Sequence, residues 1–180
     1  MKASFLIELL DEHDDRESFS CGTQALDRYF RSQVTQDIRR RLTNCFVAVE
    51  HERNIVAGFY TIAAASIPTP DLPESVTKKL PRYPSLPAIR VGRLAVDTRF
   101  HGRGLGGALL ADAAARGFAS EAAAYAMLVD AKDDHAAFYE HHGFQRLASQ
   151  PRSLFLVLAT AAKAFGVRSA RYNILAFLSQ

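Results

Sequence analysis

Apolar residues recur along this chain with a helical period in some stretches and as short strand-like runs in others, and the switches between the two outline its elements. After an acidic lead-in, Leu26, Tyr29, Phe30, Val34 and Ile38 fall three to four residues apart, the spacing of one buried helix face. Thr23 or Ser20 is placed to cap this helix, which runs into Arg39-Arg40-Arg41. Cys45 to Val49 is an apolar run of strand type, and His51-Glu52-Arg53-Asn54 reads as the turn of a hairpin returning through Ile55 to Ile62. Gly58, inside the second strand, marks a bulge or a close backbone approach.

Six of the seven prolines then fall between Pro68 and Pro87. Proline has no backbone N–H for a ladder or a helix interior, so this stretch is an excursion from the core, with a short helix fitting at residues 74–80. A loop of that length is a candidate substrate-facing element. Regular structure resumes with a strand from Ile89 to Val96 that ends at Asp97. A glycine-rich stretch follows, then an alanine-rich helix from about Leu105 to Glu121, a strand at Ala126–Val129, and a short helix over Ala136–Glu140 that Gly143 stops. Phe144–Leu147 and Leu154–Leu158 close the sheet. The predicted class is α/β (α+β), a mixed sheet with helices packed on it. The 180 residues suit a single domain, residues 1–180, with a core over about 20–160 and a C-terminal extension at 161–180.

Composition narrows the class. Hydrophobic residues make up 48% and charged ones 23%, and no apolar run approaches the ~20 residues of a membrane span. Phe5-Leu6-Ile7 is too short for the core of a signal peptide. Cys21 and Cys45 are too few for a metal set, so no metal site is expected, and they read as structural thiols of a cytoplasmic protein. The net charge of +3 conceals an uneven distribution: residues 21–103 hold thirteen basic and seven acidic side chains. Arg39, Arg40, Arg41, Lys78, Lys79, Arg82, Arg90, Arg93, Arg99 and Arg103 belong to this segment, and such an excess suits a polyanionic ligand.

Between a strand and a helix lies His101-Gly102-Arg103-Gly104-Leu105-Gly106-Gly107. Glycines let successive amide N–H groups turn toward one point, and the helix start adds positive potential, so a phosphate is the natural guest. No Gly-Lys-Ser/Thr follows, which excludes a nucleoside-triphosphate loop. Gly102, Gly104 and Gly107 fit G-x-G-x-x-G, with Asp130 ending the next strand, as in a dinucleotide fold. About a hundred residues precede the motif and only some fifty follow Asp130, too few for the remaining strand–helix units of a doubly wound sheet.

Arg99-Phe100-His101-Gly102-Arg103-Gly104 resembles the Q/R-x-x-G-x-G/A acetyl-CoA signature of the GNAT acetyltransferase superfamily, and Ala137-Phe138-Tyr139-Glu140-His141-His142-Gly143-Phe144 resembles its F-Y-x-x-x-G-F segment. The resemblance covers about residues 20–160. It implies the GNAT fold, with a central mixed, mostly antiparallel twisted sheet of about six to seven strands flanked by helices, and an acyltransferase activity that uses acetyl-CoA (coenzyme A). Phe19-Ser20-Cys21-Gly22, Leu26-Asp27-Arg28-Tyr29-Phe30, Val91-Gly92-Arg93-Leu94-Ala95-Val96-Asp97 and Val129-Asp130-Ala131-Lys132 are similar to a narrower branch, the GNAT toxins of bacterial type II toxin–antitoxin modules. That branch acetylates the α-amino group of aminoacyl-tRNA and inhibits translation. Its implied partner is a ribbon-helix-helix antitoxin, through which alone operator DNA is contacted, and a homodimer is the implied assembly. Two departures are visible. Lys132-Asp133-Asp134-His135 offers no counterpart of the asparagine that many members carry, and Val167 to Gln180 extends past the expected end, with Val167, Ile174, Leu175 and Leu178 able to share a helical face.

The resemblance also implies roles. Arg99 and the amides around Gly102, Arg103, Gly104, Gly106 and Gly107 bind the pyrophosphate; the strand backbone at Leu94, Ala95 and Val96 pairs with the pantetheine arm, and an amide at Leu94 or Val96 donates to the oxyanion. Tyr139 is the candidate general acid, since a phenol of pKa ~10 is protonated at neutral pH. No general base stands out; Glu140, His101 and His135 are the side chains able to act through a water. An α-amine of pKa ~7.7–8.0 needs less help than a lysine at ~10.4. The tRNA-binding candidates are Arg39, Arg40, Arg41, Lys78, Lys79, Arg90 and Arg93, with Tyr60 and Tyr83 as stacking candidates. Two rivals stay open at this point: an acetyltransferase of a small amine or of a protein N-terminus or lysine, and a non-catalytic acetyl-CoA-binding or partner-binding protein.

Overall fold

The computed structural model describes residues 5–131 and 135–166. Its strands are β1 (Phe5–Leu9), β2 (Asn44–Glu50), β3 (Ile55–Pro68), β4 (Ser85–Val96), β5 (Ala126–Asp130), β6 (Gln145–Arg146) and β7 (Ser153–Val157), in one sheet of order β1-β2-β3-β4-β5-β7-β6. The helices are α1 (Gln24–Ser32), α2 (Val34–Arg39), α3 (Glu74–Thr77), α4 (Leu105–Ala119), α5 (Ala136–His141) and α6 (Leu158–Phe165). Pairs β1–β2, β2–β3, β5–β7 and β6–β7 are antiparallel. Tyr125 N donates to Pro87 O (2.8 Å) before β5 begins, and Asp130 at its end meets Arg90, so β5 advances along β4 in the same direction. The expected mixed, mostly antiparallel sheet is therefore present, with seven strands. Among the described residues no helix is long and apolar enough to cross a membrane.

The chain forms two compact units. One comprises Met1–Ala63 with Val91–Asp112. Its core packs α1 and α2 on the sheet: Phe30 stacks on Phe59 (ring centroids 4.2 Å) and Phe19 lies edge-on to both. The expected single helix is two, because Gln33 (φ −115°, ψ −34°) closes α1 with its N–H on Tyr29 O and opens α2. The apolar stripe survives the break, with Tyr29, Phe30 and Val34 buried. At Gly58 both expectations hold. Ala48 pairs with Gly58 and Val49 with Val56, so Ala57 is the extra residue of a bulge, and a Cβ on Gly58 would lie 3.0 Å from Ala95 O and 3.1 Å from Leu109 Cδ1. β1 was not expected. Its short apolar run borders acids and looks too weak for a strand, yet the paired edge of β2 supplies the ladder it needs.

The other unit comprises Ala64–Arg90 with Ala113–Gln180. One face of its sheet is covered by Leu72, Val76 and Leu80 of the proline-rich excursion and by Leu147, which pack with Ile67, Leu86 and Phe155. The excursion is tied down: Thr69 N donates to Pro84 O (3.0 Å), Ala148 N to Asp71 O (3.1 Å), and Ser149 Oγ to Asp71 Oδ1. Its short helix ends at Thr77, and β4 begins at Ser85, four residues before the expected start. Gly117 of α4 makes another close approach, since a Cβ there would fall 2.6 Å from Ile89 Cδ1. The expected last strand stops at Val157, and the alanine-rich segment after it is α6, ended by Gly166 in the left-handed region (φ 64°). Lys132-Asp133-Asp134 and the segment Val167–Gln180 lie outside the described residues.

Candidate functional site

The glycine loop stands on a built foundation. Asp97, directly after β4, is 1% exposed and caps the 3-10 turn Thr98–Phe100. Its Oδ1 accepts from Arg99 N (2.9 Å) and Nε (2.7 Å), and its Oδ2 from Arg99 Nη2 (2.8 Å) and Ser20 N (3.0 Å). Burial pushes the Asp97 carboxyl up, but the Arg99 guanidinium and the two amides outweigh it and hold the pKa below the ordinary carboxylate value. Ser20 O accepts from Thr98 N (2.9 Å), so residue 20 is clipped to the loop base in both directions. Buried Asp27 shapes that clip, accepting from Cys21 N (2.8 Å) and Ser20 Oγ (3.1 Å). The Ser20-Cys21-Gly22 and Leu26-Asp27 patterns thus brace the glycine loop. Nothing local in the sequence marks this task, because Ser20 and Asp97 lie 77 positions apart.

Beyond this base, Gly102 and Gly104 have φ of +72° and +77°, and a Cβ on either would meet nothing within 4 Å. These glycines serve the backbone turn rather than close packing. The first bond of α4 here runs from Ala108 N to Gly104 O (3.1 Å), which leaves the amides of Leu105, Gly106 and Gly107 without intrahelical acceptors. Left-handed glycines, orphan amides and a fifteen-residue helix dipole fit a pyrophosphate. His101 Nε2 sits 2.7 Å from Val96 O, and Arg103 is exposed. Both the guanidinium and the backbone N–H of Arg99 are engaged by Asp97, so Arg99 serves the base of this loop. On β4, Ala95 is buried in the core while Leu94 and Val96 are half-buried. One residue absent from the sequence-based site also reaches the loop: Arg53, in the β2–β3 turn, lies 6.0 Å from the Phe100 ring centroid. No periodicity marks a turn arginine.

In the other unit, α5 presents Tyr139, 9% exposed and packed edge-on to Phe138 and Phe144. Burial, with the nearby Asp130 carboxylate, pushes its phenol up to about 12. Only on the order of one molecule in 10⁵ is then ionised at pH 7, so the side chain is present as the neutral phenol. Asp130 is itself positioned by Ser153 Oγ (2.6 Å) and by Arg90. Of the side chains able to act as bases, Glu140 accepts from Arg146 Nε (2.7 Å), and His101 is on Val96 O.

The cationic candidates divide between the units. Arg39, Arg40 and Arg41 are exposed at the end of α2, and Arg93 lies with its guanidinium 3.5 Å over the Tyr29 ring, whose hydroxyl donates to Asp37 (3.0 Å). In the second unit Lys78 pairs with Glu74 (3.2 Å), Lys79 is exposed, and Arg90 pairs with Asp130. Of the stacking candidates, Tyr60 is fully buried, bonded to Asp112 (2.6 Å) and stacked with Phe46, which removes it as a base platform; Tyr83 is 59% exposed. Cys45 is buried and Cys21 half-buried; burial pushes their thiols up to about 12 and about 11, with the Asp27 hydrogen bond adding to the latter, as suits structural residues.

Comparison with known proteins finds the same chemistry. Residues 41–146 match the model of a family described as an acetyltransferase (GNAT) domain. A probable toxin TacT from Sinorhizobium fredii is 32% identical over 175 residues, covering 91% of this chain and 97% of that protein. A tRNA-acetylating toxin from Mycobacterium tuberculosis is 36% identical over 160 residues, covering 87% and 94%. Among solved structures, AtaT complexed with acetyl-methionyl-tRNAfMet superposes with a TM-score of 0.80 at 25% identity, covering 91% of this chain and 98% of the other.

Proposed function

The chain belongs to the GNAT acetyltransferase family, and on that premise we propose that it is the toxin of a toxin–antitoxin pair, moving acetyl from acetyl-CoA to the α-amino group of an aminoacyl-tRNA. The observation that carries this reading is the 36% identity, over 94% of its length, to a protein named for acetylating tRNA. The branch motifs at Ser20–Asp27 and Val91–Asp97 support it, because here they brace the cofactor loop rather than merely recur in sequence.

When bound, acetyl-CoA supplies the activated thioester. The amides at Gly102, Arg103, Gly104, Gly106 and Gly107 take the pyrophosphate, Arg99 holds the loop to Asp97, and the backbone at Leu94, Ala95 and Val96 serves the pantetheine arm and the oxyanion. Attack of the amine nitrogen on the acetyl carbon would place negative charge on the carbonyl oxygen, and collapse of that adduct would expel the sulfur. Tyr139 Oη would give its proton to the departing sulfur, and the nitrogen would shed one to solvent on becoming an amide, from which the phenol would be restored. Burial keeps the Tyr139 phenol protonated at neutral pH, so the proton is in place for the sulfur. The engagement of Glu140 and His101 supports an amine that arrives neutral without a protein base, as an aminoacyl ester does.

Arg39, Arg40, Arg41, Lys78, Lys79, Arg90 and Arg93 contribute the field for the RNA phosphates. The partner is a ribbon-helix-helix antitoxin that also engages operator DNA, and the toxin acts in the cytoplasm as a homodimer. The test is transfer of labelled acetyl from acetyl-CoA to purified charged tRNA. The expected result is label on the aminoacyl nitrogen, steeply reduced by salt. Background-level transfer to every charged tRNA, with transfer to a small amine or a peptide instead, refutes it.

A further inference from the structure

Coenzyme A carries two anionic groups: the pyrophosphate and a phosphomonoester on the 3′-oxygen of its ribose. The amides of one glycine turn converge on a single point and serve the first. The second has a charge of its own, and cationic side chains beside the same loop are its natural partners.

Three guanidinium groups surround the ring of Phe100. Arg103 lies 5.4 Å from its centroid, and Arg53 and Arg99 each lie 6.0 Å away. Arg99 is spent on buried Asp97. Arg53 and Arg103 come from two different turns, the β2–β3 hairpin and the glycine loop, yet both guanidinium groups lie within 6.0 Å of the centroid of one buried ring. Arg53 is oriented from below. Glu50, 2% exposed at the end of β2, accepts from Arg53 N (2.9 Å) and Nη2 (3.3 Å), while the Arg53 side chain is 60% exposed. Arg53 hydrogen bonding holds the Glu50 carboxyl below its ordinary pKa, and the charge of Arg103 adds to this, so the two cations share one neighbourhood. A guanidinium held at one corner by a buried carboxylate, with its body toward solvent, is preorganised for an oxyanion.

We propose that Arg53 and Arg103 form the subsite for the 3′-phosphate of coenzyme A. The role concerns the family's cofactor and stands whether or not the acceptor is RNA. Calorimetric titration of the whole protein with acetyl-CoA and with 3′-dephospho-acetyl-CoA tests it. Wild type is expected to bind the phosphorylated form at least about tenfold more tightly at low salt, with the preference shrinking as salt rises. Arg53→Ala is expected to remove most of that preference, weakening acetyl-CoA about tenfold and the dephospho form less than twofold. Arg53→Lys retains part of it. The ratio of the two ligands on one variant cancels any change in folding, and Arg53→Gln, which keeps a neutral donor for Glu50, covers an alanine variant that fails to fold. Equal losses for both ligands, or wild-type affinity in Arg53→Ala and Arg53→Gln, overturn the assignment.

Discussion

Asp97→Ala is the sharpest probe of how this site is held. One ionised carboxylate, 1% exposed, accepts four hydrogen bonds, two from main-chain amides and two from the Arg99 guanidinium. Alanine strands the Ser20 and Arg99 amides at about 1.5 kcal/mol each, since bonds to a charged acceptor are worth roughly 1.5–3 kcal/mol. The guanidinium bonds add little, because Arg99 is 42% exposed and water replaces what it loses. The expected loss is about 3 kcal/mol, roughly 6–12 °C in Tm for a chain of this size. The bonds that hold the pKa down tie this contribution to pH. It is fully present above the unfolded carboxylate value of ~3.9 and is lost as pH falls through the lower folded pKa, so the acid limb of the stability profile flattens in the variant. With the clip to Ser20 gone, the glycine loop loses its base, and acetyl-CoA affinity measured by calorimetry is expected to drop about fivefold. Asp97→Asn keeps the shape and half the acceptors, and falls between. An alanine variant that melts within 2 °C of wild type and binds acetyl-CoA unchanged refutes the reasoning.

Tyr139→Phe is expected to lower kcat by about 10²–10⁴-fold with acetyl-CoA affinity unchanged, and any alkaline fall in kcat below about pH 11 in wild type belongs to another group, because the phenol titrates at about 12; steady-state rates across pH check both. Gly58→Val places a Cβ 3.0 Å from Ala95 O and is expected to cost about 1–3 kcal/mol by denaturant titration, whereas a wild-type midpoint contradicts the close approach of β3 to β4. Gly104→Ala finds clear space but a φ of +77°, so the expected cost is a strain of about 1–2 kcal/mol, with acetyl-CoA binding weakened beyond that loss. A stable variant with intact affinity argues against amides aimed by this turn.

Legibility followed the range of the interaction that decides each feature. The stripe Leu26–Ile38, the hairpin at 51–54 and the glycine loop are set by neighbours within a few residues, and all three are present. The break at Gln33 left the stripe's buried face intact, which is why periodicity ran across it. β1 and α6 were not legible, because one is a weak apolar run completed by the β2 edge and the other continues from β7 without a breaker between Val157 and Leu158. Tyr60 reads in the sequence as a stacking residue, but its ring is buried against Phe46 and its hydroxyl donates to Asp112, contacts that no local pattern marks.

The sequence alone determined the chemistry on offer: glycines where a backbone must turn through positive φ, a buried-type tyrosine after phenylalanine, and an excess of cations before the loop. These are local choices, written residue by residue, because φ preference and side-chain ionisation depend mainly on identity. What only the tertiary structure decided is which groups are spent and which are left for a ligand. In the sequence Arg99 and Arg103 read alike as arginines of the glycine loop, and Arg53 reads as one residue of a hairpin turn. Folding commits Arg99 to Asp97, tethers Arg53 to Glu50, and leaves Arg103 exposed, because electrostatic partnership depends on distance and burial between residues far apart in the chain.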